Sequence, residues 1–106
     1  MHENPLRALW RDDKTAVNGW VTIPSGFAAE VMARQDWDSV TVDMQHGQIG
    51  YQAAVECLTA ISTTDKVPLV RVPWNEPSII MRMLDAGALG VICPMVNTRQ
   101  QAEDLV

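Results

Sequence analysis

The residue types best suited to chemistry lie together in the segment Asp43-Met44-Gln45-His46-Gly47. This segment directly follows a β-prone run, and parallel α/β proteins place their catalytic groups where strands end. The carboxylate of Asp43 and the imidazole of His46, three positions apart, can converge there on one substrate. The ordinary alternative is that Asp43 caps the turn and His46 is a partly exposed loop histidine. The spacing alone leaves both interpretations open.

A permanent cation interrupts an otherwise apolar strand. Arg71 is the charged residue of Pro68-Leu69-Val70-Arg71-Val72-Pro73, and strand alternation places it on the same face of the sheet as Asp43. A guanidinium in such surroundings needs an anion. That anion is either the carboxylate of Asp43, in an internal ion pair, or the carboxylate of a substrate held by the guanidinium fork. Both alternatives place Arg71 at the mouth of the fold.

Two further side chains are candidates for supporting roles. Asp85 falls in the last turn of a predicted helix, where the helix dipole disfavours a negative charge by about 0.3–1 kcal/mol. It is either a solvated surface carboxylate or a partner that holds an imidazole in one tautomer. Trp20, on the first predicted strand, is either a core residue or part of a pocket wall. The methionines are interpreted as packing residues, chiefly Met32, Met81, Met83 and Met95.

The elements that must position these residues repeat as a strand followed by a helix. Strands are predicted over residues 16–23, 37–43, 67–72 and 89–93. Helices are predicted to begin after the cap Ser25, near Tyr51, and at Asn75-Glu76-Pro77, the last of these ending at Gly87. A capping box formed by Thr98 and Gln101 predicts one more helix toward Val106.

Four βα units in succession, with no flexible linker between them, predict a parallel sheet in one domain with helices outside. Alternation places one set of strand residues toward the helices, Val40, Val42, Val70 and Val72, and the opposite set inward, Thr41, Asp43, Leu69 and Arg71. Charged residues near strand ends suit the mouth of a closed barrel better than an open sheet covered on both faces. The predicted class is therefore α/β, with residues 1–106 forming the N-terminal half of a single (β/α)8 TIM-barrel domain, which typically takes about 250 residues.

The composition argues against several classes of protein. Hydrophobic residues make up 47% and charged residues 20% of the 106 residues, as in globular domains. The formal net charge of -5, without a basic cluster, argues against a nucleic-acid partner. No apolar run approaches the roughly 18 residues of a membrane span, and the N-terminus has no signal-peptide pattern, so we expect no membrane partner and a cytoplasmic location. Cys57 and Cys93 lack CxxC spacing and are predicted to be reduced, buried thiols.

Three blocks of the sequence together resemble the HpcH/HpaI aldolase family: residues 42–47 (VDMQHG), 68–77 (PLVRVPWNEP) and 84–96 (LDAGALGVICPMV). The blocks stand in the family's order and span most of the chain, but only about the N-terminal half of the family's barrel. The resemblance implies a metal-dependent class II aldolase that cleaves or forms 4-hydroxy-2-oxo acids such as 4-hydroxy-2-oxoheptanedioate. Its small-molecule partners would be pyruvate and an aldehyde. The family is commonly hexameric, so the resemblance also implies a homo-oligomer.

The resemblance assigns roles position by position. Arg71 would bind the pyruvate carboxylate and stabilise the enolate. His46 would be the general acid or base, oriented by Asp85, with Asp43 at the aldehyde end of the pocket and Trp20 as a pocket wall. These roles agree with the chemistry, because an enolate needs a Lewis acid and a fixed cation at its oxyanion, and the proton relay needs a group such as histidine.

Two departures from the family pattern concern charge and metal binding. Many members have Glu where this chain has Gln45, and a neutral amide does not supply that charge. The family's metal ligands, a Glu and an Asp, come from later strands, and no matching motif precedes Val106. The expected divalent cation (Mg, Mn or Co) therefore has no predicted ligand within this chain, and neither Asp43 nor Glu76 is assigned as one.

Two other functions compete with the aldolase. A lyase of the same superfamily that acts on CoA thioesters, like those resembling the citrate lyase β subunit, would share the strand-end arginine and a carboxylate-bound metal. The second alternative is a non-catalytic half-barrel fragment that persists by self-association. Four βα units leave the inner face, including Leu69, uncovered and two sheet edges unpaired. We therefore expect the isolated chain to complete its sheet with a second copy or with the missing half, to bind metal weakly and to lack aldol activity.

Overall fold

The computed structural model describes residues 2–106, in which an initial helix is followed by four strand-helix units. The elements are α1 (Pro5–Arg11), β1 (Asn18–Val21), α2 (Gly26–Ala33), β2 (Ser39–Asp43), α3 (Tyr51–Ile61), β3 (Val67–Arg71), α4 (Pro77–Asp85), β4 (Gly90–Ile92) and α5 (Arg99–Leu105). None of the helices in this part of the chain has the length and apolarity needed to cross a lipid bilayer.

The four strands form one parallel sheet in the order β1-β2-β3-β4, which confirms the predicted arrangement. Because sequential strands are neighbours, α2, α3 and α4 each serve as the crossover between two adjacent strands. The register pairs Trp20 with Thr41 and Asp43 with Arg71. All four strands therefore end at the same edge of the sheet, which we call the carboxyl edge, and this edge carries four of the predicted site residues: Trp20, Asp43, His46 and Arg71.

The two faces of the sheet differ as strand alternation predicts. The face toward the helices carries valines with no solvent exposure, and these contact apolar residues of α2 and α3; the core includes Val40, Val42, Val70, Val72, Ala29, Ala54 and Leu58. Complete burial of a valine side chain stabilises a fold by about 1.5–3 kcal/mol. This layer makes the strands a rigid support for the polar side chains on the other face.

Helix starts and ends follow the predicted caps. Ser25 accepts a hydrogen bond from the N–H of Ala28, and Thr98 and Gln101 form the predicted capping box. Glu76 accepts from the N–H groups of Ser78 and Ile79 at the start of α4. After α4, Gly87 adopts a φ of 109°, a conformation that glycine enters at little cost, and this reverses the chain toward β4.

Helix α1 is absent from the sequence-based prediction. Its start has the recognisable signal of a capping residue before a first-turn proline: Asn4 accepts from the N–H of Leu6, and Pro5 follows. The amide of Asn4 also donates to the carbonyl of Leu89, directly before β4. Helix α1 therefore lies at the amino edge of the sheet, opposite the carboxyl edge.

The predicted strands are too long at their ends. The first strand stops at Val21 because the carbonyl of Thr22 accepts from Gln48, in the loop after β2, and not from a neighbouring strand. Both cysteines are unpaired, as predicted, with Cys57 buried and Cys93 half-buried.

Candidate active site

Side chains from three neighbouring strands meet at the carboxyl edge. Arg71 donates two hydrogen bonds to Asp43, from Nε to Oδ1 at 2.9 Å and from Nη2 to Oδ2 at 2.6 Å. The indole Nε1 of Trp20 donates to Oδ2 of Asp43 at 3.1 Å, and the Trp20 ring centroid lies 4.9 Å from Cζ of Arg71. We call this arrangement the Trp20–Asp43–Arg71 cluster. The internal ion pair that the sequence left open is thus present.

Asp43 is the centre of the cluster. It is 1% exposed, and besides Arg71 and Trp20 it accepts the N–H groups of Gln45 and His46 on Oδ1, at 3.0 and 3.2 Å. Burial alone raises the pKa of this carboxyl, but the hydrogen bonds from Arg71, Trp20 and the two backbone groups outweigh burial and hold the pKa well below its usual range. A carboxylate offers about four acceptor positions, and these five donors use them. Asp43 is therefore a fixed anion without a free lone pair for a substrate hydroxyl.

Arg71 keeps one side of its guanidinium free. The bond to Asp43 raises the pKa of Arg71, so the group stays charged. Its Nη1 donates to no acceptor within residues 2–106, and the side chain is 23% exposed. The arginine is both paired with an internal anion and open to an external one, so the two interpretations of Arg71 are compatible.

The loop after β2 is folded onto the strand ends. The N–H of Met44 donates to the carbonyl of Arg71 at 2.9 Å, and that of Gln48 donates to Thr22 at 3.1 Å. A Cβ atom at Gly47 would fall far inside contact distance of the Asp43 carbonyl oxygen and 3.2 Å from Cα of Thr22. Only glycine allows this close approach, so Gly47 is a site residue whose role the sequence pattern did not predict.

His46 stands on this loop with its imidazole open to solvent. Its backbone N–H is bound to Asp43, while its side chain makes no hydrogen bond to any residue of 2–106. The loop therefore fixes the backbone position of His46 and leaves both ring nitrogens available. An accessible imidazole at the carboxyl edge can exchange a proton with a molecule bound there.

Asp85 does not meet His46 within one copy of the chain. It ends α4, and the chain then returns to the beginning of β3, where the N–H of Leu89 donates to the carbonyl of Pro68. Pro68 lies about 10 Å along the strand from Arg71 at the carboxyl edge. The predicted orientation of His46 by Asp85 is therefore not made within the chain, because a crossover helix ends at the sheet edge opposite the one where it begins.

The side chains present do not fit a metal ion. Across the part of the chain that the structure describes, no group of three His, Cys, Asp or Glu residues comes together. Both oxygens of Asp43 are taken by hydrogen-bond donors, and Glu76 is used as the cap of α4.

A polar layer below the cluster was not predicted. Oδ1 of Asn18 accepts from the hydroxyls of Ser39 at 2.8 Å and Thr41 at 3.0 Å. Ser39, Thr41 and Asp43 alternate along β2, so a continuous polar inner face was the available sequence signal. The layer links β1 to β2 directly below the indole of Trp20.

The fold and the site define a parallel α/β barrel segment with a fixed cation and an accessible imidazole at the carboxyl edge. The profile of the family described as HpcH/HpaI aldolase/citrate lyase matches residues 19–106, so the chain belongs to this family. It supplies four βα units of the family's TIM-barrel fold, which confirms the predicted fold class.

Named relatives are aldolases. The chain is 44% identical over 102 residues to a hydroxypyruvate/pyruvate aldolase of Rhizorhabdus wittichii. This alignment covers 96% of this chain and 41% of the relative. It is 29% identical over 104 residues to a 4-hydroxy-2-oxo-heptane-1,7-dioate aldolase of Escherichia coli, covering 98% and 40%. The chain thus spans about two fifths of the length of these curated relatives.

A solved structure of a family member has the same fold over nearly the whole of this chain. A HpcH/HpaI aldolase/citrate lyase family protein from Burkholderia cenocepacia J2315 superposes with a TM-score of 0.90 at 32% identity, covering 97% of this chain and 41% of that one. The crossovers and strand order described above are therefore those of a family member.

Substituting Gly47 tests the close approach of the loop. In the full-length protein, Gly47→Ala should lower the free energy of unfolding by about 1–3 kcal/mol, because the new methyl group has no space against the Asp43 carbonyl. Gly50→Ala is the matched control in the same loop, since a Cβ at Gly50 meets nothing within 4 Å. Denaturant unfolding measures both, and equal effects of the two variants would contradict the assignment.

The ion pair between Asp43 and Arg71 predicts that the stability of the fold depends on pH. Since the pKa of Asp43 in the fold lies below the unfolded value of about 3.9, the stabilisation from its charged form is complete near neutral pH and is lost as the pH falls below about 4. Asp43→Asn should lower the free energy of unfolding by about 3 kcal/mol at pH 7. The difference from the unsubstituted protein should shrink between pH 5 and about pH 3.

The control for this measurement is Asp36→Asn, which changes an exposed carboxylate outside the cluster. Its difference from the unsubstituted protein should be small and should change little with pH. A loss for Asp43→Asn that stays constant down to about pH 3 would mean that the carboxylate charge does not stabilise the fold.

Proposed function

We propose that the protein of which this chain forms a part is a class II aldolase that cleaves or forms 4-hydroxy-2-oxo acids, with pyruvate as one component and an aldehyde as the other. The observation that carries the proposal is the free Nη1 of Arg71, a fixed cation at the carboxyl edge, where the loop after β2 also carries the exposed imidazole of His46. A 2-oxo acid offers a matching carboxylate. The names of the aldolase relatives support this class of substrate.

The residues of this chain would divide the work between binding and proton transfer. Arg71 would bind the carboxylate of the oxo acid and stabilise the negative charge that develops on the enolate. In the cleavage direction, His46 would accept the proton of the C4 hydroxyl as the C3–C4 bond breaks. The aldehyde would leave, and His46 would then return its proton to C3 of the pyruvate enolate, which regenerates the neutral imidazole. Asp43 holds Arg71 and the loop in place during both steps.

The proposal includes groups outside the described residues. A divalent cation (Mg, Mn or Co) bound by carboxylates beyond this chain would act as a Lewis acid on the 2-oxo group. We also propose a homo-oligomer in the cytoplasm. The unpaired thiols of Cys57 and Cys93 are compatible with a reducing compartment.

A lyase acting on CoA thioesters is the second candidate, because the family description names citrate lyase beside aldolase. Pyruvate release from 4-hydroxy-2-oxo acids, measured beside cleavage of malyl- and citramalyl-thioesters with the full-length protein, separates the two. Cleavage of the thioesters alone would replace the aldolase proposal.

The proton-transfer role of His46 predicts a specific loss. In the full-length protein, His46→Ala should abolish exchange of the pyruvate methyl protons into deuterated solvent, because the group that exchanges the proton is removed. The melting temperature should stay within a few degrees, since the imidazole makes no contact that supports the core. Proton NMR follows the exchange. Retained exchange would exclude His46 as the acid or base.

The binding role of Arg71 depends on its shape as well as its charge. Arg71→Lys should lose most of the turnover of the full-length enzyme, because one ammonium group does not reproduce bonds to both Asp43 and a substrate carboxylate. Steady-state kinetics of pyruvate release measure the effect. Near-normal kinetics would show that Arg71 serves the fold alone.

A further inference from the structure

Arg71 is held from two directions, and only part of its guanidinium remains free. Asp43 occupies Nε and one hydrogen of Nη2, and the ring of Trp20 lies 4.9 Å from Cζ. Three hydrogens remain: one on Nη1 and one on Nη2, which form the terminal edge of the guanidinium, and a second on Nη1, which points to the Cδ side. The side edge, formed by Nε and Nη2, is closed to any other carboxylate.

Trp20 acts on both members of the ion pair. Its N–H donates to Oδ2 of Asp43, the same oxygen that accepts Nη2 of Arg71, while Oδ1 is held by the backbone of the β2–α3 loop. Arg71 also donates to both oxygens, so without Trp20 the two side chains could still turn together about the Cβ–Cγ bond of Asp43. Among residues 2–106, the indole N–H is the donor to Oδ2 that comes from outside the ion pair, so Trp20 holds the plane of the pair against the sheet. The indole ring also gives the cation a favourable π surface.

We propose that Trp20 is a positioning residue that directs the terminal edge of Arg71 toward the ligand, so that the carboxylate of the 2-oxo acid is received end-on by Nη1 and Nη2. This inference rests on the proposed function and adds the residue that sets its carboxylate subsite. Trp20 acts through Asp43 and Arg71 and does not take part in proton transfer.

Loss of the Trp20 N–H should affect the oxo acid and the aldehyde to different extents. Loss of the indole N–H leaves Nη2 of Arg71 as the remaining donor to Oδ2 of Asp43, so the ion pair can shift as a unit, which weakens the carboxylate subsite. It leaves the imidazole of His46 on its loop, because the backbone bonds to Oδ1 remain. The affinity for the oxo acid should fall most, proton transfer should slow by a smaller factor because Arg71 also stabilises the enolate, and the affinity for the aldehyde should stay nearly constant.

The test compares Trp20→Phe with Trp10→Phe in the full-length enzyme. Phenylalanine keeps an aromatic ring and removes the N–H; Trp10 is an exposed tryptophan on α1, at the opposite edge of the sheet, and gives the matched control. The assays are pyruvate binding by calorimetry, methyl-proton exchange, and aldol addition of pyruvate to acetaldehyde.

For Trp20→Phe we expect the KM and Kd for pyruvate to rise about 10-fold or more, as for loss of a hydrogen bond to a charged group. The kcat for exchange should fall by a smaller factor than the KM for pyruvate rises, the KM for acetaldehyde should change less than about 3-fold, and Trp10→Phe should match the unsubstituted enzyme. Trp20→Leu, which also removes the ring, should raise the KM for pyruvate further and provides a second variant if Trp20→Phe folds poorly.

The remaining outcomes overturn the inference in distinguishable ways. An unchanged KM for pyruvate in both Trp20 variants would show that Trp20 does not position Arg71, with the proposed function intact. A parallel loss of kcat, both KM values and melting temperature would show a structural role alone. Failure of the unsubstituted enzyme to bind pyruvate would overturn the proposed function itself, and with it the subsite.

Discussion

The buried carboxylate of Asp43 is the interaction on which the carboxyl edge depends. An ionised group removed from water is stable only if hydrogen bonds replace its hydration, and Asp43 obtains them from β1, β3 and its own loop. One side chain thus joins three strands and the backbone of a loop at a single point. The positions of Arg71 and of the His46 backbone follow from that requirement, so the parts of the candidate site are not independent.

The rest of the sheet separates support from chemistry. Its helix-facing valines form a closed apolar layer, while its inner face carries the cluster and, below it, the hydroxyls of Ser39 and Thr41 on Asn18. Side chains that project from a packed strand lose little further entropy when they bind a ligand, because their backbone is already fixed. This is the physical reason why an arginine at a strand end, rather than one on a flexible loop, suits recognition of a small carboxylate.

Sequence patterns predicted those features that depend on local periodicity. The alternation of valines predicted that Asp43 and Arg71 lie on the same face of the sheet, and the capping residues predicted where the helices begin. Contacts between segments far apart in the sequence could not be predicted in this way: Gly47 lies against Thr22 as well as the Asp43 carbonyl, and the indole of Trp20 reaches Asp43 from the neighbouring strand. The pairing of Asp85 with His46 was inferred from the resemblance, and the chain's topology places the two residues at opposite edges of the sheet. Helix α1 was missed because its apolar pattern is short, although Asn4 and Pro5 mark its start.

The tight seating of Gly47 also limits how this protein can diversify. The segment between Asp43 and Gly47 is bound to the end of β3 at one residue and pressed against β1 at another, so it has no slack for an inserted residue. Any lengthening would pull the backbone of His46 away from Asp43. Differences in ligand recognition must therefore arise from other loops at the carboxyl edge, and this loop should keep a constant length.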